Sequence, residues 1–163
     1  MFRVQILSLI TLLAYSSTAH GDSIQSAANR YNQYVSSLES TTDINSLNHF
    51  LSADTLNARS QYIERLQSKK NKTRSEVDLV LLERAKYSEK CVTNRQFLNS
   101  ATPSADTIIL SYRFEDLCAN NPEAIVATIA DVTMIKQDGL WKIDMVSLRP
   151  EKPVKIRKVI ELE

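Results

Sequence analysis

Asp138-Gly139-Leu140-Trp141-Lys142-Ile143-Asp144 forms the clearest local pattern in this chain of 163 residues. The dipeptide Asp138-Gly139 is typical of a two-residue hairpin turn, because both residues tolerate a positive φ angle. Apolar and polar residues alternate over Glu123–Gln137 before the turn and over Leu140–Leu148 after it. This period of two predicts a pair of long antiparallel strands.

A two-residue turn pairs Gln137 with Leu140, and this register divides the hairpin into two faces. The dry face, which we expect to pack against helices, carries Val126, Ala130, Val132, Met134, Trp141, Ile143 and Met145. The opposite face carries Ile129, Asp131, Thr133, Ile135, Lys142, Asp144, Val146 and Leu148. An apolar centre with a polar surround is typical of an interface. A homodimer contact is therefore expected at Ile129, Ile135, Val146 and Leu148, and the alternative is that the C-terminal tail covers this face.

The residues before the hairpin divide into a helical half and two further strands. Asp106–Glu115 alternates strictly between apolar and polar residues, and Cys91–Leu98 alternates more weakly. Earlier segments have the i, i+3, i+4 apolar spacing of amphipathic helices, and Gln67–Arg74 is an exposed basic turn between two of them. The residues expected to start the helices are Asp22 or Ser23, Thr42 or Asp43, Ser52 or Asp54, and Glu76. Helices first and an antiparallel sheet second predict an α+β fold.

The N-terminus has the pattern of a secretory signal peptide. A basic residue near the start is followed by the apolar run Ile6–Tyr15 and by the small residues Ser17-Thr18-Ala19. The run is shorter than the roughly 20 residues of a membrane-spanning helix, so no stable membrane anchor is expected, although an anchor or a buried N-terminal helix is the alternative. We expect a signal peptide over residues 1–19, a single domain over 20–163 with a basic tail from about 149, and a secreted or periplasmic location.

The export signal changes the interpretation of the two cysteines, Cys91 and Cys118. Disulfides persist in oxidising compartments, so an even number of cysteines in an exported chain predicts a bond between them. Such a bond would stabilise the fold by roughly 3–4 kcal/mol through the entropy of the unfolded chain. The alternative is a pair of unpaired thiols that pack as small apolar groups.

Composition excludes several function classes. Two glycines are too few for a glycine-rich phosphate loop. One of the two histidines, His20, lies at the expected cleavage site, and the other cannot complete a four-ligand zinc site with two cysteines alone. The formal charge of +1 gives no overall attraction to nucleic acid, and the basic clusters Lys69–Arg74 and Arg149–Lys158 are expected to be solvated or, alternatively, to contact an acidic partner. We therefore expect no cofactor, no metal and no nucleic-acid partner.

Three segments of the chain match a known arrangement of helices and strands. Asp138–Asp144 places a glycine, an apolar residue, Trp, Lys and Ile after a turn, and Asp106–Leu110 and Asn48–Ser52 precede it at suitable positions. These segments resemble the nuclear transport factor two-like superfamily, here as an exported member. The resemblance spans Ser23–Leu148 and implies a cystatin-like cone, with N-terminal helices packed on a curved antiparallel sheet. The helical, basic stretch Lys69–Lys90 departs from the short strand that many members have there, and so does the basic tail.

The resemblance implies several functions, because this superfamily contains isomerases, dehydratases, cyclases, ligand binders and non-catalytic scaffolds. Our first hypothesis is an exported, non-catalytic accessory or binding domain that engages a protein or a small ligand through the cone or the sheet face. The alternatives are a small enzyme of the isomerase, dehydratase or cyclase kind, and an exported inhibitor or immunity-type protein. The residues expected to line the cone are Tyr31, Tyr34, Tyr112, Met134, Trp141 and Met145.

Proton-transfer chemistry would need a carboxyl group or a histidine inside the cone. Asp131 and Asp144 are neighbours in the expected register, but they lie on the face opposite Trp141, where a solvated charge cluster is expected. A bulge in the strand would reverse one of them. His49 borders the apolar stripe of a helix, where a hydrogen-bonded histidine is expected. No residue is therefore assigned a catalytic role.

Overall fold

The computed structural model describes residues 6–118 and 127–151, with side chains from residue 21 onward in those ranges. Its elements are helix α1 (Ile6–Ser40), a 3-10 helix (Ile44–Phe50), α2 (Ala53–Lys70), α3 (Arg74–Lys90), β1 (Val92–Ser104), β2 (Thr107–Asp116), β3 (Ala127–Gln137) and β4 (Leu140–Pro150). The four strands form one antiparallel sheet in the order β1-β2-β3-β4. The α+β class, with helices before an antiparallel sheet, is confirmed. The expected strand residues 123–126 and most of the basic tail lie outside the described residues.

Side-chain caps explain where two of the helices begin. The Asp43 carboxylate accepts a hydrogen bond from the Asn45 backbone N–H at 2.9 Å and starts the 3-10 helix. Ser52 Oγ accepts one from the Thr55 backbone N–H at 3.1 Å and starts α2. Each cap satisfies a backbone donor that the helix leaves unpaired. Both residues are among the expected caps, so these predictions are confirmed.

The turn between α2 and α3 is shorter than expected, and α1 is longer. Asn71 has a left-handed backbone with φ 50° that ends α2. Thr73 and Glu76 then form a capping box that starts α3, so the basic segment contributes mostly to the two helices. α1 runs without a break through Asp22 and Ser23, and the expected helix start there is wrong for the full chain.

β1 extends to Ser104, beyond the expected end at Leu98. It is an edge strand, and three irregularities interrupt its pairing with β2. Asn94 has φ 52° at the first of them. Most side chains of β1 are partly or fully exposed. Because neither face of the strand is fully buried, neither face requires apolar residues, and the alternating pattern is weak.

The β3–β4 hairpin has the expected turn and, close to it, the expected register. The two turn residues have positive φ angles of 52° and 77°, as a two-residue hairpin turn requires. Ile143 pairs with Met134 as expected, but the next pair joins Met145 to Thr133. Asp144 is therefore an additional residue in β4, which defines a β-bulge.

The bulge at Asp144 exchanges the faces of all later residues in β4. Met145 lies on the outer face and is 57% exposed, so its expected place on the dry face is wrong. Val146 and Leu148 lie on the helix-facing side, opposite two buried residues of β3, so their expected place on the outer face is wrong too. The cause is the period of two along a strand, since one extra residue moves every following side chain to the other face.

The start of α2 holds this bulge in place. Ser52 is fully buried, and its Oγ donates to Asp144 Oδ1 at 2.7 Å. Its backbone N–H donates to the Ile143 carbonyl oxygen at 2.9 Å, and Thr55 Oγ1 donates to the Asp144 carbonyl oxygen. The polar groups that the bulge frees are thus satisfied by the N-terminus of α2.

The hydrophobic core lies between the helices and the inner, helix-facing side of the sheet. Its buried members include Ala27, Tyr31, Leu38, Leu47, Phe50, Leu82, Ile108, Leu110, Tyr112, Val132, Met134, Trp141 and Ile143. Burial of each large apolar side chain contributes about 1.5–3 kcal/mol. This layer therefore fixes α1 and α3 against the sheet and determines the shape of the space between them.

Candidate functional site

A cleft of about 470 Å³ opens between the helices and the sheet, towards the end of β4. α1 and α3 form one wall, and the ends of β2 and β4 together with the start of β1 form the other. Its apolar lining comes from Tyr31, Tyr34, Leu38, Ala85, Val92, Phe114, Ala130, Val146 and Leu148. This site, the inner cleft, has the size and the mainly apolar walls of a small-ligand site.

Arg95 and Glu89 bring a charged pair into this apolar lining. Arg95 Nη2 donates to both oxygens of the Glu89 carboxylate, at 2.7 and 2.9 Å. The two side chains are only 22% and 18% exposed. The Arg95 guanidinium also lies over the ring of Tyr31, with 5.8 Å between Cζ and the ring centroid. The Arg95 guanidinium is therefore held between the Glu89 carboxylate and the face of the Tyr31 ring.

Three tyrosines form a cluster centred on Tyr31, which lies under Arg95, and they keep their hydroxyl protons at neutral pH. The centroid of the Tyr31 ring lies 5.2 Å from that of Tyr112 and 6.4 Å from that of Tyr34. Burial raises the pKa of Tyr31 to about 12, although the Arg95 charge opposes the shift. Burial also raises the pKa of Tyr34 and of Tyr112. All three hydroxyls are therefore available as hydrogen-bond donors.

The Cys91–Cys118 disulfide lies in the lining of the inner cleft, and the expected bond is confirmed. Cys91 follows α3 and Cys118 follows β2, so the bond joins a helix end to a strand end. The Asp116 carboxylate and the two sulfurs lie within 4.8 Å of one another, as metal ligands would. Thiolates bind metals, and sulfurs joined in a disulfide are not thiolates, so this group does not form a metal centre in the oxidised protein.

The expected cone-lining residues occupy different places. Tyr31 and Tyr34 line the inner cleft, and Tyr112 packs against Tyr31 in the core. Met134 and Trp141 are buried near the hairpin turn and do not line the inner cleft. The sixth residue, Met145, lies on the outer face because of the bulge at Asp144. The three tyrosines are thus brought together, two of them in the lining of the cleft, whereas Met134, Trp141 and Met145 lie elsewhere.

The expected interface residues are also divided between two faces. Val146 and Leu148 line the inner cleft. Ile129 and Ile135 remain on the outer face, where Ile129 is already buried within the chain. Because the four residues do not share one face, the continuous apolar patch that motivated the dimer hypothesis does not exist in the described part of the chain.

Ion pairs and hydrogen bonds cover much of the outer face. Asp131 accepts hydrogen bonds from Arg149 Nε at 2.8 Å and from Ser111 Oγ at 2.6 Å. The hydrogen bond from Arg149 has the larger effect and that from Ser111 the next, and together they hold the pKa of Asp131 below its usual value. Asp144 accepts from Ser52 instead, so the two carboxylates that were neighbours in the expected register have separate partners.

The ring of His49 is hydrogen-bonded, as expected, and the residue is exposed. Its Nδ1 lies 2.8 Å from the Ser46 carbonyl oxygen, and its ring centroid lies 4.0 Å from that of Phe50. Its own carbonyl oxygen accepts hydrogen bonds from Arg30 Nη2 and Lys142 Nζ. These contacts connect the 3-10 helix to α1 and β4, which is a structural role.

A second groove of about 620 Å³ lies between α1 and the turn of the β3–β4 hairpin. Its lining is more polar and includes Gln25, Asn29, Lys136 and part of Trp141. Gln25 Nε2 donates to Asn29 Oδ1 at 2.8 Å, so these amides partly satisfy each other. Although this groove is larger, the inner cleft offers more apolar surface and is therefore the stronger candidate for a small ligand.

Sequence reasoning missed Arg95 and Glu89. Arg95 lies in an irregular edge strand without clear alternation, and Glu89 lies in the last turn of a helix, where charged residues are common. Their side chains meet across the junction between α3 and β1. A separation of six positions across a helix end is not a recognised pairing pattern, so no local signal identifies this pair.

No family model matches the chain, and neither a curated protein nor a solved structure matches it. The nuclear transport factor two-like assignment therefore stays a prediction from the resemblance of short segments. Within the described part of the chain, no helix combines the length and the apolar character needed to cross a membrane.

Proposed function

We propose that this protein is an exported, non-catalytic binding domain of the nuclear transport factor two-like kind that takes a small ligand in the inner cleft. One observation carries the proposal: a cleft of about 470 Å³ with apolar walls contains a fixed ion pair and tyrosine hydroxyls. Small-molecule sites combine apolar walls with a few placed polar groups that orient the ligand. The disulfide and the N-terminal signal pattern support the exported location.

The ionisable groups of the inner cleft favour binding over proton transfer. A general acid or base is most effective when its pKa lies near the working pH. Burial moves the pKa of Tyr31 to about 12, far above neutrality. Both oxygens of the Glu89 carboxylate accept hydrogen bonds from Arg95. These groups suit the orientation of a ligand better than the chemistry of an isomerase, dehydratase or cyclase.

Two adjacent residues of β4 provide a matched test of the site. Val146 lines the inner cleft, whereas Met145 lies on the outer face, and both are exposed. We expect Val146→Arg to abolish binding of phenylbutanol and phenylbutyrate, because a long cationic side chain would occupy the cleft. Met145→Arg should leave the binding unchanged. An NMR titration of isotope-labelled protein measures the affinity and identifies the residues whose signals shift.

The expected result for the wild type is saturable binding of at least one probe, with the largest shifts around Tyr31 and Leu38. If neither probe binds, or if Met145→Arg weakens binding as much as Val146→Arg does, the inner cleft is not the ligand site.

A further inference from the structure

We propose that the inner cleft selects ligands that carry a carboxylate on a compact apolar or aromatic body. The inference rests on the proposed function, and it goes further by assigning a chemical class to the ligand. It follows from an excess of hydrogen-bond donors over acceptors in the lining of the cleft.

Arg95 is the first source of unused donors. A guanidinium has five N–H groups, and the two on Nη2 point to the two oxygens of Glu89. The Nε and Nη1 groups have no acceptor among the residues that the structure describes. Each edge of a guanidinium that binds a carboxylate through two hydrogen bonds includes Nη2, so the free Nε and Nη1 groups act as separate single donors to an anion. Because Glu89 holds the guanidinium over the ring of Tyr31, these two remaining donors have a fixed orientation.

The tyrosines are the second source of unused hydrogen-bond donors. Tyr31 and Tyr34 line the inner cleft, and neither hydroxyl has a hydrogen-bond partner in the described ranges 21–118 and 127–151. The Tyr112 hydroxyl, behind Tyr31, is fully buried and is likewise without a partner among these residues. A buried polar group without a partner is costly, so a ligand acceptor that reaches this region satisfies groups that the protein leaves unpaired.

The acceptors in the lining are largely engaged. Both oxygens of Glu89 accept hydrogen bonds from Arg95. Asp116 Oδ1 accepts a hydrogen bond from the Cys118 backbone N–H at 2.9 Å. The lining contains two negative charges: the Arg95 charge balances that of Glu89, and Asp116 lies beside the disulfide. A carboxylate offers about four acceptor positions and no donor, so it complements the donor-rich interior. An ammonium group would bring more donors to a place that has few free acceptors.

The apolar walls of the inner cleft determine the size and polarity of the ligand body that carries the carboxylate. Leu38, Phe114, Val146 and Leu148 contribute apolar surface around the polar groups. A volume of about 470 Å³ lies in the lower half of the range for small-molecule sites. A short aryl-alkyl or alkyl acid therefore fits this description.

Three probes with one body and different head groups test the selectivity: phenylbutyrate, phenylbutanol and phenylbutylamine. Calorimetric titration of the full chain should give the carboxylate an affinity about tenfold or more above that of the alcohol, since charge-assisted hydrogen bonds from a guanidinium are roughly twice as strong as neutral ones. The amine should bind most weakly. Saturable binding of the alcohol alone, or of the amine in preference, would support a ligand site but overturn the carboxylate assignment.

Two variants separate the head-group contact from general packing. Arg95→Lys keeps a positive charge beside Glu89 but removes the separate Nε and Nη1 donors, so we expect about a tenfold loss for phenylbutyrate and little change for phenylbutanol. Tyr34→Phe removes one hydroxyl and should also weaken the acid selectively, whereas Tyr62→Phe on α2 serves as the control. Equal losses for acid and alcohol in both variants would overturn the proposal. The absence of binding by all three probes would overturn the proposed function itself.

Discussion

Tyr31 makes the stability of the domain sensitive to alkaline pH. Burial raises its pKa from 10.0 to about 12, so between these values the unfolded chain releases a proton that the folded protein keeps. The unfolded state then binds fewer protons, and the free energy of unfolding falls as the pH rises through this window. We expect Tyr31→Phe to remove this part of the fall, about 3 kcal/mol at most for two pKa units. Chemical unfolding at a series of alkaline pH values measures the slope.

Tyr62 on α2 provides the control for this prediction. Tyr62→Phe removes the same hydroxyl from a tyrosine outside the lining of the inner cleft, and it reports the effect of the substitution itself. Tyr34 and Tyr112 also have a raised pKa and remain in both variants, so Tyr31→Phe should reduce the slope without abolishing it. A Tyr31→Phe protein that loses stability as steeply as the wild type would contradict the argument.

Asp144 shows at the same scale why the candidate site could not be predicted completely. In the sequence it alternates with its neighbours as any strand residue does, so the pattern predicts a regular strand. The bulge depends on Ser52, which is 92 positions away in the chain and donates to the Asp144 carboxylate. Because this partner is supplied by tertiary structure, the face exchange that brings Val146 and Leu148 to the cleft has no local signal.

Among the elements, those with strong local chemistry were predictable. The caps at Asp43 and Ser52 and the hairpin turn are fixed by side chains within a few residues, and the sequence alone identifies them. β1 is an exposed edge strand whose pairing with β2 is irregular. Since burial is what enforces alternation, an edge strand of this kind shows little periodicity, and its length could not be predicted.

The disulfide acts at the scale of elements, because it joins the end of α3 to the end of β2. We expect the double variant Cys91→Ala and Cys118→Ala to lower the free energy of unfolding by roughly 3–4 kcal/mol under oxidising conditions, mainly through the entropy of the unfolded chain. Reduction of the wild type should have a similar effect. The affinity of the inner cleft for its probe should fall as well, because both cysteines belong to the lining. Denaturant titrations with and without reductant measure the first effect.

The double variant in reductant is the control, since it has no bond to lose and its stability should not change. If the variant is destabilised by the same amount relative to wild type with and without reductant, the loss comes from the packing of Cys91, which is 5% exposed. That result would contradict the cross-link argument and assign the cysteines a role as small apolar residues.

On the scale of the whole molecule, the order of the elements was sufficient to predict the α+β class, because amphipathic helices must cover one face of an antiparallel sheet. The order of the elements alone does not predict the inner cleft. It lies where α1, α3 and all four strands meet, and its shape depends on the register of each strand. The tyrosines on α1 and β2 could be proposed as a cluster, because both elements have a clear periodicity that indicates their inner side. Arg95 and Glu89 could not, since they meet across the end of α3, where no periodicity indicates which side chains approach each other.

The same arrangement predicts what happens when the proposed signal peptide is removed. Among the described side chains, those that form or pack against the core begin at Ile24, and the lining of the inner cleft begins at Tyr31. A chain of residues 20–163 should therefore fold with the thermal midpoint of the full chain and bind the cleft probes with the same affinity, although α1 continues through the cleavage site. Thermal unfolding and probe titration of both chains test the fold. The intact mass of protein exported from a secreting host should show an N-terminus at His20, or at Asp22 if cleavage follows Gly21. A shortened chain without cooperative unfolding would show that the first half of α1 belongs to the domain. Exported protein that retains Met1 would exclude the signal peptide, since cleavage is what separates a signal sequence from a structural helix.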